Sequence, residues 1–476
     1  MDDLRRRLIA ALLLPVGLAP IHVGAQSEKS LPRAQVRPGA TQRPAVARKG
    51  SLPLAVFEDV IGADDAKALA AVVRITEQWH DSSAALLIEM VYRVRSRQVL
   101  ASVIVLIESV SGKAFDGSVD PWYEWLWSAE RPEHPDHAHF KTLLYAPIDA
   151  RFAEYFEGRP KTIIRLDEIR WGGVRRDGIP PLKNPLMIAA RDAHWLQGDD
   201  IVFGVAVHGD VRAYPKRILA WHEMFKDRIG GQELAGVYCT LCGALVLYDV
   251  TVGGVQHELG TSGFLYRSNK LMYDHATKSM WSTLTGTPVV GALVGKGIEL
   301  QPLYVVTTTW KEWRQRHPGT QVLSLDTGHQ RDYGEGVAYR DYFATDRLMF
   351  NVPTRDDRLP NKAEVLALRF AQAPGEALAV AADFLSARPV YHGLIGTLQF
   401  VVLTDRSGAN RVYESQGVSF TDWDSAAAVR DSGGGLWKLD EAALTSLTGK
   451  ALKRLPAYRA FWFGWHAAFP ATRLVK

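Results

Sequence analysis

From Asp64 to about Gly112, apolar residues recur at three- and four-residue spacing, the period of an α-helix with one buried face. The pattern predicts one helix containing Ala70, Val73 and Ile75. A second contains Leu86, Leu87, Met90 and Val91, and a third Val99, Val103, Leu106 and Ile107. A dense aromatic cluster, Pro121 to Trp127, closes this segment. Beyond Thr162 the period shortens, and brief Val, Ile, Leu and Tyr runs are separated by Gly, Asp and Asn, which predicts hairpins. Ile201–Val207 and Val211–Tyr214 flank Gly209-Asp210, and Leu245–Val250 and Val255–Leu259 flank Gly253-Gly254. A helix is expected over Thr309–His317, stopped by Pro318-Gly319. Strands without regularly alternating helices predict an α+β chain: a small helical N-terminal domain followed by a large, mainly antiparallel β-rich domain.

The first 50 residues break both patterns. Arg5-Arg6-Arg7, the apolar run Leu8 to Leu18 and the small residues Val23-Gly24-Ala25 read as a signal peptide over 1–25. Residues 26–50, rich in Ser, Pro, Arg and Gln, cannot bury enough apolar surface to offset ordering and read as a flexible basic linker. The helical cap then covers 51–160 and the β-rich domain 161–476. No later run of some 18 apolar residues follows, so no transmembrane segment is expected after cleavage, and the expected location is periplasmic or secreted. The formal charge of +4 is carried by the leader: nine Lys or Arg against three Asp or Glu in residues 1–50 leave about −2 for the remainder. That balance gives no footprint for nucleic acid. No GxGxxG or Walker sequence follows a strand, so no nucleotide cofactor is expected.

The chain has only two cysteines, in Cys239-Thr240-Leu241-Cys242-Gly243. Two thiols at this spacing can chelate an ion, close a disulfide, or alternate between thiol and disulfide. Gly243 and the strand-like run from Ala244 follow the pair, whereas a thioredoxin-type site places its first cysteine at a helix N-terminus. The context predicts a knuckle on a strand turn, half of a zinc-ribbon or rubredoxin-like site, with the other half absent. An ion there, copper or zinc, would need His, Met or carboxylate partners. His222 is the first candidate and Met272 a weaker one, with Glu223, Ser262 and Asp274 as supporting residues. Each also has a structural reading: a hydrogen-bonded histidine, a core-filling methionine, a turn serine. The alternative for the cysteines is a purely structural disulfide, although so small a ring adds little stability.

His134, His137 and His139 lie between prolines and read as part of a solvated connector. Asp356-Asp357 and Asp422 with Asp424 are of the kind common in turns and nominate no hydrolase.

Several motifs in order carry a family resemblance. They are Tyr214-Pro215 with Trp221-His222-Glu223, Tyr238 to Gly243, and Thr261 to Tyr266 with Ser268-Asn269 and Leu271 to Asp274. Ser279 to Ser282, Pro302, Thr309-Trp310 with Trp313, Asp357 to Pro360 with Lys362, and the closing Phe461 to Trp465 with Phe469-Pro470 follow. Over about 161–476 the chain resembles the bacterial family catalogued as domain of unknown function 3179, and the segment before it resembles HEAT-type helical repeats. The family's usual Pro after the first cysteine is Thr240 here. The resemblance implies membership and a role for the cysteine turn, without an activity. Three readings remain open: a metal-binding or redox protein using Cys239 and Cys242, a binding module with a structural disulfide and a protein partner on the helical segment, and a thiol-dependent enzyme with His222 as base.

Overall fold

The computed structural model describes residues 50–476, so the expected signal peptide and nearly all of the linker lie outside the described residues. The predicted helices form as Asp65–Glu77, Ser83–Met90 and Arg97–Ser111, and the aromatic cluster forms a further one, Asp120–Trp127. Asp64 caps the first by accepting from Lys67 N–H, and Gly112 ends the third in the left-handed conformation. The first helix buries Ala68, Ala71, Val72 and Ile75, an i, i+3, i+4, i+7 stripe. Ala70 is exposed and Val73 is 55% exposed, because this helix carries more apolar residues than its stripe can bury.

The histidine run corrects the expected solvated connector. His134 is buried with its ring on the Leu52 carbonyl, and His137 opens a helix, His137–Tyr145. In that helix His137 Nε2 and Lys141 Nζ reach Glu89 Oε1 at 2.9 and 3.0 Å, and Lys141 also donates to the carbonyl of Ile169 at 2.8 Å. Glu89 sits in Ser83–Met90, a helix buried on all sides, so its carboxylate needs internal cations. The same lysine ties the helical layer to the first strand of the β-rich region, Ile169–Trp171.

The β-rich region is mainly antiparallel and contains one architecture built twice. In the first copy the hairpin Ile201–Val207 and Asp210–Pro215 forms as expected, and Val306–Thr309 pairs antiparallel to its first strand. The helix Trp310–Arg316 follows, and Gln321–Leu323 then lies parallel to the hairpin's second strand. In the second copy Glu364–Leu368 and Leu378–Ala381, Tyr458–Phe461, the helix Trp462–Ala468 and Arg473–Val475 repeat these pairings in the same order and senses. Each copy inserts a three-stranded meander after its hairpin and short helix: Met224–Ile229, Gln232–Cys239 and Ala244–Asp249 in the first, Val390–Ile395, Leu398–Thr404 and Asn410–Glu414 in the second. The expected pairing across Gly253-Gly254 is smaller than predicted, since Ala244–Asp249 pairs back onto Gln232–Cys239. The two glycines instead join the ribbon Thr251–Val252 and Val255–Gln256.

The two copies are interlocked. Phe461 N–H of the second donates to the Cys242 carbonyl of the first at 2.7 Å, while the Ser407 hydroxyl of the second lies 3.1 Å from that of Thr308 in the first. The last turn of each meander is thereby packed against the strand and helix that close the other copy.

Candidate functional site

Gln232–Cys239 and Ala244–Asp249 read as nearly continuous apolar runs because both faces of their hairpin are covered. Cys239 pairs with Ala244, which leaves residues 240–243 as the connecting loop. Gly243 takes the loop into the left-handed region at φ 62°, and a Cβ there would press on the Phe461 ring at 3.0 Å. The loop brings Cys239 and Cys242 into a disulfide, with both residues buried, at 1% and 0% exposure. The loop lies between two strands and not at a helix N-terminus. Its carbonyls are held from outside: the Tyr342 hydroxyl donates to Leu241 O and Phe461 N–H to Cys242 O, both at 2.7 Å. Gly464 packs its backbone on Cys242, where an added Cβ would lie 3.0 Å from the cysteine's own.

Opposite the sulfurs, strands Leu259–Tyr266 and Asn269–Asp274 are joined by the two-residue turn Arg267-Ser268, both left-handed, at φ 50° and 61°. Such a turn favours Asn-Gly, so these residues depend on tertiary partners. Arg267 pairs with Glu168 at 2.5 Å, and the Ser268 hydroxyl donates to Phe350 O at 2.7 Å. The turn presents the Ser268 carbonyl 3.6 Å from Cys242 Sγ and 4.0 Å from Cys239 Sγ. A disulfide sulfur carries no hydrogen, so this carbonyl gains a donor only when the pair is reduced.

Cys239, but not Cys242, lines a cavity of about 40 Å³ that it shares with Thr240, Glu223, Lys270 and Tyr339. Lys270 Nζ lies 3.2 Å from Glu223 Oε2 and donates to Glu223 O at 3.3 Å, and Tyr339 OH donates to Glu223 Oε1 at 3.2 Å. Both members of the ion pair are buried, Lys270 5% and Glu223 8% exposed. Burial pushes the Lys270 ammonium below the usual lysine range, against the opposing pull of Glu223. Burial, with Glu223 adding to it, pushes the Tyr339 phenol well up. Glu223 and Tyr339 are themselves left-handed non-glycine residues, at φ 53° and 57°. Glu223 is held there as the residue that caps the C-terminus of the helix Lys216–His222, with its N–H on Leu219 O and its carbonyl on Tyr238 N–H.

Of the sequence-nominated residues, Cys239, Cys242 and Glu223 come together here. His222 turns elsewhere: Nδ1–H donates to Pro180 O at 2.9 Å, and Nε2 accepts from Tyr333 OH at 2.5 Å, which in turn accepts from Thr327. Burial lowers its pKa to about 4, so the ring is neutral at pH 7. Met272 is fully buried in the apolar cluster that includes both cysteines. Ser262 is a buried strand residue donating to Leu271 O at 2.6 Å, where sequence suggested a turn. Asp274 accepts from His257 Nδ1 at 3.0 Å and from Thr277 N–H at 2.7 Å, closing the loop after its strand. Lys270 and Tyr339 were missed. A lysine leading into the run Leu271-Met272-Tyr273 of a strand was the available signal for the first; nothing local marked the second. Among the described residues, no group of three or more His, Cys, Asp or Glu side chains is arranged to hold a metal ion.

A family model described as protein of unknown function (DUF3179) matches residues 176–472, well over half of the chain and including Cys239, Cys242, Glu223, Lys270 and Tyr339. No curated protein and no solved structure matches the chain.

Proposed function

The chain belongs to the family of proteins of unknown function DUF3179, and from the geometry of its cysteine turn we propose that it is an exported thiol–disulfide redox protein. The observation carrying this reading is that Cys239, one half of the disulfide, lines a cavity that is also lined by a buried Glu223–Lys270 pair. A purely structural disulfide has no use for a charged pair in a cavity beside it, and burying such a pair costs stability. Reduction takes up two electrons and two protons. Glu223, paired with Lys270 and accepting from Tyr339 OH, is the acceptor for the proton of an incoming thiol. Cys242 leaves as a thiolate, takes up a proton, and its S–H finds the Ser268 carbonyl. Export fits both the basic and apolar leader and a disulfide, which persists in oxidising compartments.

Copper or zinc binding would rest on the two sulfurs of the reduced turn, since no third His, Cys, Asp or Glu is grouped with them among the described residues. It therefore has less support. The test is an equilibrium titration of the folded protein against reduced and oxidised dithiothreitol with a trace of methanethiol as the mediator small enough to reach the buried disulfide, with free thiols alkylated and counted by mass. The expected result is one reversible two-electron transition, with circular dichroism unchanged across it. Reduction only together with unfolding would identify a structural disulfide and overturn the reading.

A further inference from the structure

Resting on the redox reading above, we infer that the cavity at Cys239 admits small, uncharged thiols, of the hydrogen sulfide and methanethiol class, and excludes tripeptide and protein thiols. Size is the first argument. A volume of about 40 Å³ has room for about three water molecules, enough for one sulfur and one carbon. Both sulfurs are buried and Cys242 is packed under Gly464, so a protein thiol has no line of attack on the folded turn.

Chemistry is the second. The outer lining is apolar, with Val174, Ile179, Leu265 and Met349 at its half-buried rim, which favours an uncharged entrant over a thiolate or a peptide with several charges. A neutral thiol must lose its proton as it attacks, and Glu223 lines the same cavity. Thr240 is the third argument. Its hydroxyl is buried and has no hydrogen-bond partner among the described residues, and it lines the cavity beside Cys239. A buried unpaired hydroxyl costs about 1–3 kcal/mol, and a bound thiol gives it a partner.

The step balances as R–SH plus Cys239–S–S–Cys242 giving Cys239–S–S–R plus Cys242–SH. The new bond is between the entering sulfur and Cys239, the bond broken is the disulfide, and the proton passes through Glu223 to Cys242. Hydrogen sulfide leaves a persulfide on Cys239, and methanethiol leaves a methyl disulfide.

The test compares initial rates of reaction of the full-length oxidised protein with hydrogen sulfide, methanethiol, glutathione and dithiothreitol, with rapid alkylation and tandem mass spectrometry. Folded protein should react at least tenfold faster with the first two than with glutathione, with the adduct on Cys239, and urea should abolish the difference. Met349→Ala and, independently, Leu265→Ala widen the rim and should raise the glutathione rate relative to the sulfide rate. Comparable glutathione and sulfide rates in the folded wild type, or an adduct on Cys242, would overturn the inference while leaving a reversible equilibrium couple intact. A disulfide that cannot be reduced at equilibrium without unfolding would instead remove the redox reading beneath it.

Discussion

Glu223 carries the chemistry of the proposed site at the scale of single residues, and its substitution separates proton handling from packing. Glu223→Gln keeps the size and a partner for Tyr339 but removes the charge, leaving Lys270 buried without a counter-ion. Reduction by small thiols should slow by about 10² or more, and thermal stability should fall by about 3–5 kcal/mol. Lys270→Met with Glu223→Gln removes both charges and should recover stability but not rate, measured by calorimetry and stopped-flow alkylation. The two cysteines were legible because their spacing is itself the chemistry, and Glu223 because it stands in a motif. Tyr339 was not, since it reaches Glu223 from 116 residues away and only the fold brings it there. His222 was misjudged as a ligand candidate for a related reason: sequence position next to Glu223 says nothing of the direction in which a ring at the end of a helix points.

At the scale of elements, the support of the cysteine turn comes from the second copy of the repeated architecture. Trp310, Trp313 and Thr320 recur as Trp462, Trp465 and Thr472, and in each copy the second indole N–H donates to the threonine hydroxyl, at 3.0 and 2.9 Å. Thr472→Val removes this acceptor from a buried indole and should cost about 1–3 kcal/mol, read as a shift in denaturant midpoint. Gly464→Ala drives a methyl against Cys242 and should cost about 1–3 kcal/mol; because the clash lies on the turn, it should also alter the equilibrium between disulfide and dithiol, whereas Thr472→Val should not. The helices Asp65–Glu77 and Arg97–Ser111 were legible from period alone because each has one buried stripe. The repeat was equally present as the spacing Trp-x₂-Trp-x₆-Thr, but its halves are separated by about 150 residues of unlike sequence. The pairing of Ala244–Asp249 was misassigned because Gly253-Gly254 is a strong local turn signal, while a β-hairpin closed by cysteines has no comparable one.

For the whole molecule, buried ionisable groups set the pH range of stability. His222 titrates near pH 4 when folded against about 6.5 when unfolded. The unfolded chain therefore takes up the proton first, and the histidine's contribution is complete above pH 6.5 and lost as pH falls to 4, about 3 kcal/mol in all. His222→Gln should flatten the denaturant midpoint against pH over that interval. Burial alone would raise the Glu89 carboxyl, but Lys141 and His137 hold it below the usual range, so the junction between the helical and β-rich parts weakens at still lower pH. These networks hold a scaffold in which the second copy closes over the cysteine turn of the first, and the central claim is that this closed turn exchanges electrons without opening. The equilibrium between the disulfide and dithiol states of the folded protein, followed by thiol alkylation and circular dichroism together in dithiothreitol buffers carrying a trace of methanethiol as mediator, tests it most directly. The account predicts a reversible transition with the fold intact on both sides; a transition that coincides with loss of the fold would contradict it.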